Sequence, residues 1–272
     1  MPVVALLGFR DKRIGLELSG MKDSQLLALD FDGVIADSID ECLVTAYNAF
    51  TLGTANATPR DDLTEFSEAE IAEFRSLRPL IRRGEDYVFL LLAMSEKQQF
   101  QSQDDFDAFL AKNEFHRDEY RQRFYTERER LQTQNTEKWL NLNLLYPGMA
   151  SFLKSWDRNE VYIVTTKDLV SVRLILEHNG ISLRPDQMFQ ADKTLRKPAI
   201  LDSIQTKRDI QGDQIHFIDD HVATVLEVKQ DSSTRVYCAT WGYNTSEQLS
   251  LLHPEQIPAL SLDKFLSKSW EG

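Results

Sequence analysis

Short apolar runs that end in a polar residue occur near the start of the chain and again in its second half. Residues 26–30 (LLALD) form the first run, a pattern typical of a buried parallel strand. The same criterion predicts strands at 162–165, 215–218 and 235–239, and apolar residues at helical spacing predict helices at 38–52, 171–178 and 221–229. Strands that alternate with helices indicate a parallel sheet with right-handed crossovers.

The middle of the chain has a different pattern. From about residue 54 to residue 145, Gly and β-branched residues are rare while Glu, Arg, Gln and Leu are frequent, which predicts four or five helices. Within 115–131, helical spacing predicts one buried face, made of Phe115, Tyr120, Phe124, Arg128 and Leu131. The first 23 residues fit either an extra strand pair or a loose extension.

The predicted fold class is therefore α/β. We expect a Rossmann-like parallel-sheet core domain built from residues 1–53 and 146–272, interrupted by an all-helical domain over residues 54–145. Because strands at both ends of the chain contribute to one sheet, the helical segment is interpreted as an insertion into a single α/β unit.

Composition limits the partners that the protein can have. Hydrophobic residues make up 42% of the chain and charged residues 27%, a mix typical of a soluble globular protein. The net charge of −12 argues against nucleic-acid or anionic-membrane partners, because both require a basic surface. The N-terminus does not resemble a secretory signal, and Cys42 and Cys238 are interpreted as buried thiols, so we expect a cytoplasmic protein.

Polar residues follow each of the first three predicted strands. Asp30, Asp32 and Gly33 follow the first strand, Thr165 and Thr166 the second, and Asp219 and Asp220 the third, while Lys197 stands between the second and third. Ligands bind beyond the carboxyl ends of strands in an open parallel sheet, so these side chains are expected to meet there.

The residue types in this set suit phosphoryl transfer. Asp30 is the predicted nucleophile and Asp32 the predicted acid/base, and Gly33 permits the sharp turn after the strand. Asp30, the backbone carbonyl of Asp32, and Asp219 suit the oxygen coordination of Mg²⁺. Thr165 and neighbouring amides would bind phosphoryl oxygens, and Lys197 would supply positive charge to the same oxygens and to Asp30.

These motifs resemble those of the haloacid dehalogenase-like hydrolase superfamily. The segments that carry the resemblance are ALDFDGVIADS (28–38), YIVTTK (162–167), LRKPAIL (195–201) and IHFIDD (215–220), and LYPGM (145–149) and ATWGYN (239–244) match its phosphoglycolate phosphatase-like branch. The resemblance implies Asp30 as nucleophile, Asp32 as acid/base, Thr165 as phosphate-binding hydroxyl and Asp219 with Asp220 at the metal. It also implies that the helical insertion is a cap. Lys193 is an alternative to Lys197 as the lysine of the motif at 195–201.

The resemblance implies a Mg²⁺-dependent phosphatase acting on a small phosphorylated metabolite through an aspartyl-phosphate on Asp30. Gly33, Thr166, Arg82 and Arg83 are assigned to substrate binding, with residues 78–84 either a second anion contact or a solvated basic turn that pairs with the acids after it. His221 is predicted to face solvent. A sugar phosphomutase, a phosphonate hydrolase with a cap lysine (Lys97, Lys112 or Lys138), and a non-catalytic binding or regulatory protein remain alternatives, and the oligomeric state is not assigned.

Overall fold

The computed structural model describes residues 25–52, 58–157 and 160–270, and the predicted strand pair in the first 23 residues lies outside these ranges. The strands are β1 (Leu26–Leu29), β2 (Ala36–Asp37), β3 (Leu144–Leu145), β4 (Val161–Thr165), β5 (Met188–Gln190), β6 (Ile215–Asp219), β7 (Arg235–Ala239) and β8 (Ala259–Leu260). The helices are α1 (Ile39–Thr51), α2 (Glu68–Leu77), α3 (Asp86–Ser95), α4 (Gln103–Lys112), α5 (Arg117–Gln134), α6 (Thr136–Asn141), α7 (Met149–Ser155), α8 (Leu169–His178), α9 (Lys197–Arg208), α10 (Val222–Asp231), α11 (Ser246–Ser250) and α12 (Leu262–Leu266).

Six strands form one parallel sheet in the order β5-β4-β1-β6-β7-β8. The strand β1 lies in the centre, where Leu27 pairs with Val161 of β4 on one side and His216 of β6 on the other. The four strands predicted from apolar runs form this centre, while the short strands β5 and β8 extend it at the edges. The α/β fold class is confirmed, with helices as the crossovers between successive parallel strands.

Side chains alternate between the two faces of the sheet, and both faces are buried. Leu26 and Ala28 belong to a hydrophobic cluster that includes residues of α9 and α10. Leu27 and Leu29 belong to a second cluster with α7, α8 and the helices between β2 and β3. Burial on both sides explains why β1 has an uninterrupted apolar sequence, since neither of its faces meets water.

A two-stranded antiparallel ribbon marks the place where the chain leaves the sheet and returns. In this ribbon Ala36 of β2 pairs with Leu145 of β3, and helices α1 to α6 lie between the two strands. The predicted domain boundary assigns α1 to the core, whereas α1 packs against α2, α3 and α5. The division into two domains remains a prediction, and this packing favours placing its boundary nearer to the ribbon.

The buried face predicted for residues 115–131 is correct except at its first member. Tyr120, Phe124, Arg128 and Leu131 of α5 are buried, but Phe115 is 77% exposed. The reason is local, because Phe115 lies in a 3₁₀ turn (Glu114–His116) before α5 begins, so the helical spacing does not extend to it.

Cys42 and Cys238 are free and buried, which confirms the interpretation of both as buried thiols. Among the described helices, none has the combined length and apolar character that a membrane span needs.

Candidate active site

Acidic residues from two neighbouring strands meet at the carboxyl edge of the sheet. Asp30 directly follows β1, Asp219 is the last residue of β6, and Asp220 comes next. The backbone N–H of Asp30 donates to the carbonyl of Ile218 (2.9 Å), which continues the β1–β6 pairing as far as the site. The parallel register therefore places these carboxylates side by side, as the strand-end positions predicted.

Lys197 reaches this group from the first residue of α9. Its Nζ lies 3.1 Å from Oδ1 of Asp30 and 2.8 Å from Oδ2 of Asp219, and its side chain is only 7% exposed. Burial lowers the pKa of Lys197, but Asp219 and Asp30 offset this and hold that pKa above its usual value, so the ammonium stays charged. Lys193 is exposed, and the geometry thus selects Lys197 over its rival.

Asp30, Asp219 and Asp220 form an oxygen-rich group of the kind that divalent cations bind. Each offers a carboxylate oxygen within 4.8 Å of the others, and all three residues are buried. Oδ1 of Asp30 is buried and lies 3.1 Å from the charged Nζ of Lys197. Burial, together with the charge of Asp219, raises the pKa of Asp220 to about 8, and the pKa of Asp30 is raised to about 6, chiefly by burial. Because three buried carboxylates repel one another, the residues fit Mg²⁺, which would relieve that repulsion.

The contacts of Asp219 and Asp220 orient their carboxylates. Oδ1 of Asp219 accepts from the backbone N–H of His221 (2.8 Å) while Lys197 binds its other oxygen. Oδ2 of Asp220 accepts from the backbone N–H of Tyr243 (2.6 Å). Gly33 adopts a φ of +85° directly against the Asp220 carboxylate. Gly33 was assigned to substrate binding, but the structure places it behind Asp220, outside the residues that line the two cavities described below.

Asp32 lies beside this group and has different partners. Its Oδ1 accepts from the Ser38 hydroxyl (2.5 Å) and lies 3.1 Å from Nζ of Lys167. The side chain of Asp32 is not part of the cluster formed by Asp30, Asp219 and Asp220, and the sequence analysis had assigned only its backbone carbonyl to the metal. Burial lowers the pKa of Lys167, but Asp32 and Glu41 outweigh this and raise that pKa above its usual value. Asp32 therefore faces a positively charged ammonium.

The two threonines after β4 have different environments. The Thr165 side chain is buried, and its Oγ1 accepts from the backbone N–H of Lys167 (3.1 Å). Its hydroxyl also lowers the pKa of Asp30 by hydrogen bonding. Thr166 is exposed and lines both cavities. The structure therefore brings both threonines to the site, with Thr166 on the accessible side.

Two cavities adjoin the acidic residues. One, of about 200 Å³, is lined by Asp30, Asp32, Arg78, Ile81, Arg82, Thr166, Lys197, Asp220, His221 and Thr224. The other, of about 60 Å³, shares five of these residues and adds Cys42, Arg83, Gly84, Tyr87, Tyr125, Arg128 and Lys167. The prediction that His221 faces solvent is wrong, because its position just before α10 turns the ring toward the cavity, where it contacts Thr224 (2.9 Å). A larger cavity, of about 380 Å³, contains none of the candidate site residues.

The basic run at residues 78–84 faces these cavities from the helical segment. Arg82 lines both cavities, and its guanidinium pairs with Asp107 (3.0 Å). Arg83 lines only the smaller cavity. The backbone N–H groups of Arg82 and Arg83 donate to the Asp86 carboxylate, which is the pattern expected of a turn that pairs with the acids after it. Arg78, at the start of the same run, also lines both cavities.

Comparison with known proteins shows similarity in structure alone. No protein-family model matches the chain, and no curated protein is significantly similar to it. A solved structure described as a predicted phosphoglycolate phosphatase, from Haemophilus somnus 129PT, matches 92% of this chain and 100% of its own at 16% identity, with a TM-score of 0.58.

Two further solved structures agree with the first. A haloacid dehalogenase-like family hydrolase from Streptococcus pneumoniae matches over 93% of this chain and 100% of its own (13% identity, TM-score 0.55). A predicted phosphatase from Clostridium acetobutylicum matches 90% of this chain and 98% of its own (15% identity, TM-score 0.51). The chain has the haloacid dehalogenase-like fold.

One alternative activity on the haloacid dehalogenase-like fold loses support from the geometry. A phosphonate hydrolase was considered because the helical segment contains three lysines, but Lys97, Lys112 and Lys138 are all exposed. Among the described residues, the lysines that line the two cavities are Lys167 and Lys197, and both belong to the α/β part.

Sequence reasoning missed several residues that complete the site on this fold. Lys167 and Ser38 both contact the carboxylate of Asp32. They lie within the quoted motifs, but the sequence assigned no role to either. Tyr243 donates from its backbone to Asp220 and from its hydroxyl to Asp37 (2.7 Å), more than 200 residues away along the chain. The signal for Lys167 was its place directly after the two threonines, whereas no sequence signal marks the Tyr243–Asp37 contact.

Proposed function

We propose that the protein is a Mg²⁺-dependent phosphatase that hydrolyses a small phosphomonoester through an aspartyl-phosphate on Asp30. The observation that carries the proposal is the environment of Asp30. Its buried carboxylate lies 3.1 Å from Lys197 and in one group with Asp219 and Asp220, at the wall of a cavity that Asp32 also lines. The description of the structural neighbours as phosphatases or hydrolases supports the same conclusion.

The first step transfers the phosphoryl group to the enzyme. A carboxylate oxygen of Asp30 attacks phosphorus as the bond from phosphorus to the ester oxygen breaks, and the carboxylic acid of Asp32 gives its proton to that leaving oxygen. Lys167 and Ser38 hold the Asp32 carboxyl at the cavity wall during this transfer. The dephosphorylated alcohol then leaves.

The second step reverses the role of Asp32. Its carboxylate takes a proton from water, the water oxygen attacks phosphorus, and the bond between phosphorus and the Asp30 oxygen breaks to release inorganic phosphate. Lys197 remains beside Asp30 and Asp219 in both steps and neutralises negative charge on the non-bridging oxygens. Thr166 lines the cavity that receives these oxygens, and the hydroxyl of Thr165, which hydrogen bonds to Asp30, is the further proposed contact. Over the two steps, one phosphomonoester and one water molecule are converted to one alcohol and one inorganic phosphate.

Asp30, Asp219 and Asp220 would hold the Mg²⁺ ion, with the backbone carbonyl of Asp32 as a further proposed ligand. The bound ion would neutralise charge between the phosphoryl group and the carboxylate that must approach it.

We also propose that the helical segment acts as a cap over the substrate. Arg82 and Arg83 reach the cavities from this segment, and Thr166 reaches them from the sheet side, so a substrate bound there would touch both parts. Closure of such a cap over the bound substrate would exclude bulk water from the first step, in which Asp30 attacks phosphorus. The cytoplasmic location and the absence of nucleic-acid and membrane partners remain predictions from the sequence.

The test is hydrolysis of p-nitrophenyl phosphate by the full chain with Mg²⁺ and with EDTA, beside the Asp30→Asn variant. We expect activity that requires Mg²⁺ and falls at least about 1000-fold in Asp30→Asn, because the amide is not a nucleophile. Asp118→Asn, at an exposed aspartate of α5, is the matched control and keeps its activity. Activity that survives both EDTA and Asp30→Asn would exclude the aspartyl-phosphate route.

The remaining alternatives give different results in the same assay. A sugar phosphomutase would isomerise a sugar phosphate faster than it releases phosphate, and a non-catalytic binding protein would release none. No observation in the structure favours either over hydrolysis.

A further inference from the structure

Tyr243 joins two of the loops at the carboxyl edge of the sheet. Its backbone N–H donates to Oδ2 of Asp220 (2.6 Å). Its hydroxyl donates to Oδ1 of Asp37 (2.7 Å) and accepts from the backbone N–H of Ser38 (3.0 Å). Because the Ser38 hydroxyl in turn donates to Asp32 (2.5 Å), one tyrosine connects a carboxylate of the candidate metal site with the segment that holds the proposed acid/base.

Residues 241–244 pack directly against Asp220. A Cβ on Gly242 would lie 2.3 Å from Cβ of Asp220, so no side chain fits between the two residues. The side-chain amide of Asn244 donates to the backbone carbonyl of Asp220 (3.2 Å). Among the described residues, the donor to the Asp220 carboxylate is the backbone N–H of Tyr243. The orientation of that carboxylate therefore depends on how residues 241–244 are held.

The helical segment contacts this arrangement through the end of α2. Arg75 of α2 pairs with Oδ2 of Asp37 (3.0 Å) and with Oδ1 of Asp40 (2.8 Å). Three residues later, Cζ of Arg78 lies 4.0 Å from the ring centre of Tyr243. A continuous chain of contacts therefore runs from α2 through Asp37 to Tyr243. Arg75 itself lines neither of the cavities beside the acidic residues.

The Asp37 carboxylate has a partner on each of its oxygens. Tyr243 donates to one oxygen and Arg75 to the other, so the carboxylate is fixed in orientation although its side chain is 27% exposed. An ion pair at this exposure contributes little to the stability of a fold. We therefore expect the effect of Arg75 to appear in the orientation of Asp37 and of the Tyr243 hydroxyl bound to it.

We propose that Tyr243 is a positioning residue for the candidate metal ligand Asp220, and that Arg75 and Asp37 transmit the docking of α2 to Tyr243. The affinity of the protein for Mg²⁺ then depends on a hydroxyl and a guanidinium that do not contact the ion. This inference rests on the proposed phosphatase function for the metal site, and it adds a route by which the helical segment acts on that site.

The test measures the affinity for Mg²⁺ by calorimetry on the full chain without substrate. We expect the Kd to rise about three- to tenfold in Tyr243→Phe, because the ring stays while the hydrogen bond to the Asp37 carboxylate is lost. In Arg75→Gln the Kd rises about two- to fivefold, within the range of a partly exposed ion pair. In the double variant the Kd equals that of Tyr243→Phe, because Arg75 acts through the hydroxyl that is already absent.

Hydrolysis of p-nitrophenyl phosphate supplies a second readout. In Tyr243→Phe the Mg²⁺ concentration that gives half of the maximal rate rises by the same factor as the Kd, while the rate at saturating Mg²⁺ stays within about threefold of the wild type. A purely structural role would instead lower the maximal rate, through loss of folded protein, at an unchanged half-saturating concentration.

Each variant has a matched control that keeps the wild-type Kd for Mg²⁺. Tyr162→Phe removes a tyrosine hydroxyl that accepts from Arg208 (3.0 Å), and Tyr162 lines neither cavity beside the acidic residues. Arg130→Gln removes an arginine of the helical segment that, like Arg75, pairs with two carboxylates, those of Asp61 and Glu127.

Thermal melting checks that each variant is folded. If Tyr243→Phe does not fold, Asp37→Asn takes its place, since it removes the charge that Arg75 contacts, and Arg75→Gln then has no further effect in that background. An unchanged Kd for Mg²⁺ in the folded variant overturns the inference, as do effects of the two single variants that multiply in the double variant.

Failure of the inference and failure of the proposed function give different results. If the wild type binds Mg²⁺ but hydrolyses no ester, the proposed function fails and the Kd values still decide the inference. If hydrolysis requires Mg²⁺ while Tyr243→Phe keeps the wild-type Kd, the inference alone fails. A wild-type chain that binds no Mg²⁺ overturns the inference, and hydrolysis compared with Mg²⁺ and with EDTA then judges the proposed function separately.

Discussion

At the scale of single residues, Gly33 couples backbone geometry to the candidate metal site. Its φ is +85°, and a Cβ at this position would lie 2.2 Å from Oδ2 of Asp220. We expect Gly33→Ala to lower the free energy of unfolding by about 1–2 kcal/mol, the cost of the left-handed conformation in an L-residue. The Asp220 carboxylate must also move, so phosphatase activity falls about 100-fold or more, as expected for a displaced catalytic group.

Gly180→Ala separates the loss of stability from the loss of activity. Gly180 also has a positive φ (+69°), but its Cβ would meet only the flexible end of Lys154, at 3.2 Å from Nζ. This variant is expected to lose similar stability in urea denaturation while it keeps full activity. Retained activity in Gly33→Ala would show that the position of Asp220 is not required.

Lys167 is expected to act on the reaction through Asp32. Its side chain is 1% exposed and its Nζ lies 3.1 Å from the Asp32 carboxylate. Lys167→Met leaves Asp32 free to turn away from the leaving oxygen, so kcat falls at least about tenfold for an alkyl phosphate, within the range that general acid catalysis contributes. The fall is smaller for p-nitrophenyl phosphate, because p-nitrophenolate leaves without a proton.

Comparison of the two esters is the measurement that identifies this positioning role. Lys167→Arg restores part of the alkyl phosphate activity, since it keeps a cation beside Asp32. An equal loss with both esters would mean that Lys167 serves binding or folding and not proton transfer.

At the scale of secondary-structure elements, one buried ion pair joins α1 to α5. Arg128 of α5 binds both oxygens of Glu41 of α1, and the side chains are 7% and 0% exposed. Burial raises the pKa of Glu41, but Arg128 and Lys167 outweigh this and lower it to about 2. Arg128→Met would leave that carboxylate buried and unpaired, so we expect a loss of about 3–5 kcal/mol in the free energy of unfolding.

The double variant Glu41→Leu/Arg128→Met tests whether the loss comes from the unpaired charge. Because both charges are removed together, its stability should return to within about 1 kcal/mol of the wild type. Arg196→Met, which removes an exposed arginine beside Glu227, is the control and changes stability by less than about 1 kcal/mol. Losses that simply add in the double variant would contradict the expected coupling.

The elements and the strand-end residues could be predicted because their signals are local. Apolar runs located β1, β4, β6 and β7, and the polar residues that follow three of these strands do converge. The short edge strands β5 and β8 have no such run.

Contacts across the fold could not be predicted in the same way. The partners of Arg78 (Tyr243 and Tyr87) and of Arg128 (Glu41) depend on how the helical segment packs on the sheet. His221 was mispredicted for the same reason, since the cavity it faces is closed by residues far away in sequence.

At the scale of the whole molecule, one buried histidine makes the free energy of unfolding depend on pH. His216 of β6 is 1% exposed and contacts the Tyr237 hydroxyl (3.1 Å), the Gln25 side chain and the ring of Trp270. Burial, with a smaller contribution from Arg235, lowers the pKa of His216 from 6.5 to about 4, although Asp213 opposes this. The folded protein therefore keeps this ring neutral where the unfolded chain would protonate it.

This difference predicts that His216 lowers stability in mild acid. Between about pH 6.5 and pH 4 the unfolded chain binds one more proton than the folded protein at His216, so the contribution of His216 to the free energy of unfolding falls as the pH falls, by at most about 3 kcal/mol. Asp30 and Asp220, whose pKa values are raised in the folded protein, contribute with the opposite sign, so the contribution of His216 is the difference between the wild-type and the variant curves. The measurement is urea denaturation followed by tryptophan fluorescence at half-unit steps of pH. His216→Asn removes this dependence because asparagine does not titrate, while His253→Asn, at an exposed histidine, keeps it. The carboxylate of Glu41 acts in a separate window, because its stabilising contribution is lost only as the pH falls from about 4.5 toward 2. A curve for His216→Asn that runs parallel to the wild-type curve from pH 6.5 to pH 4 would contradict the assignment to His216.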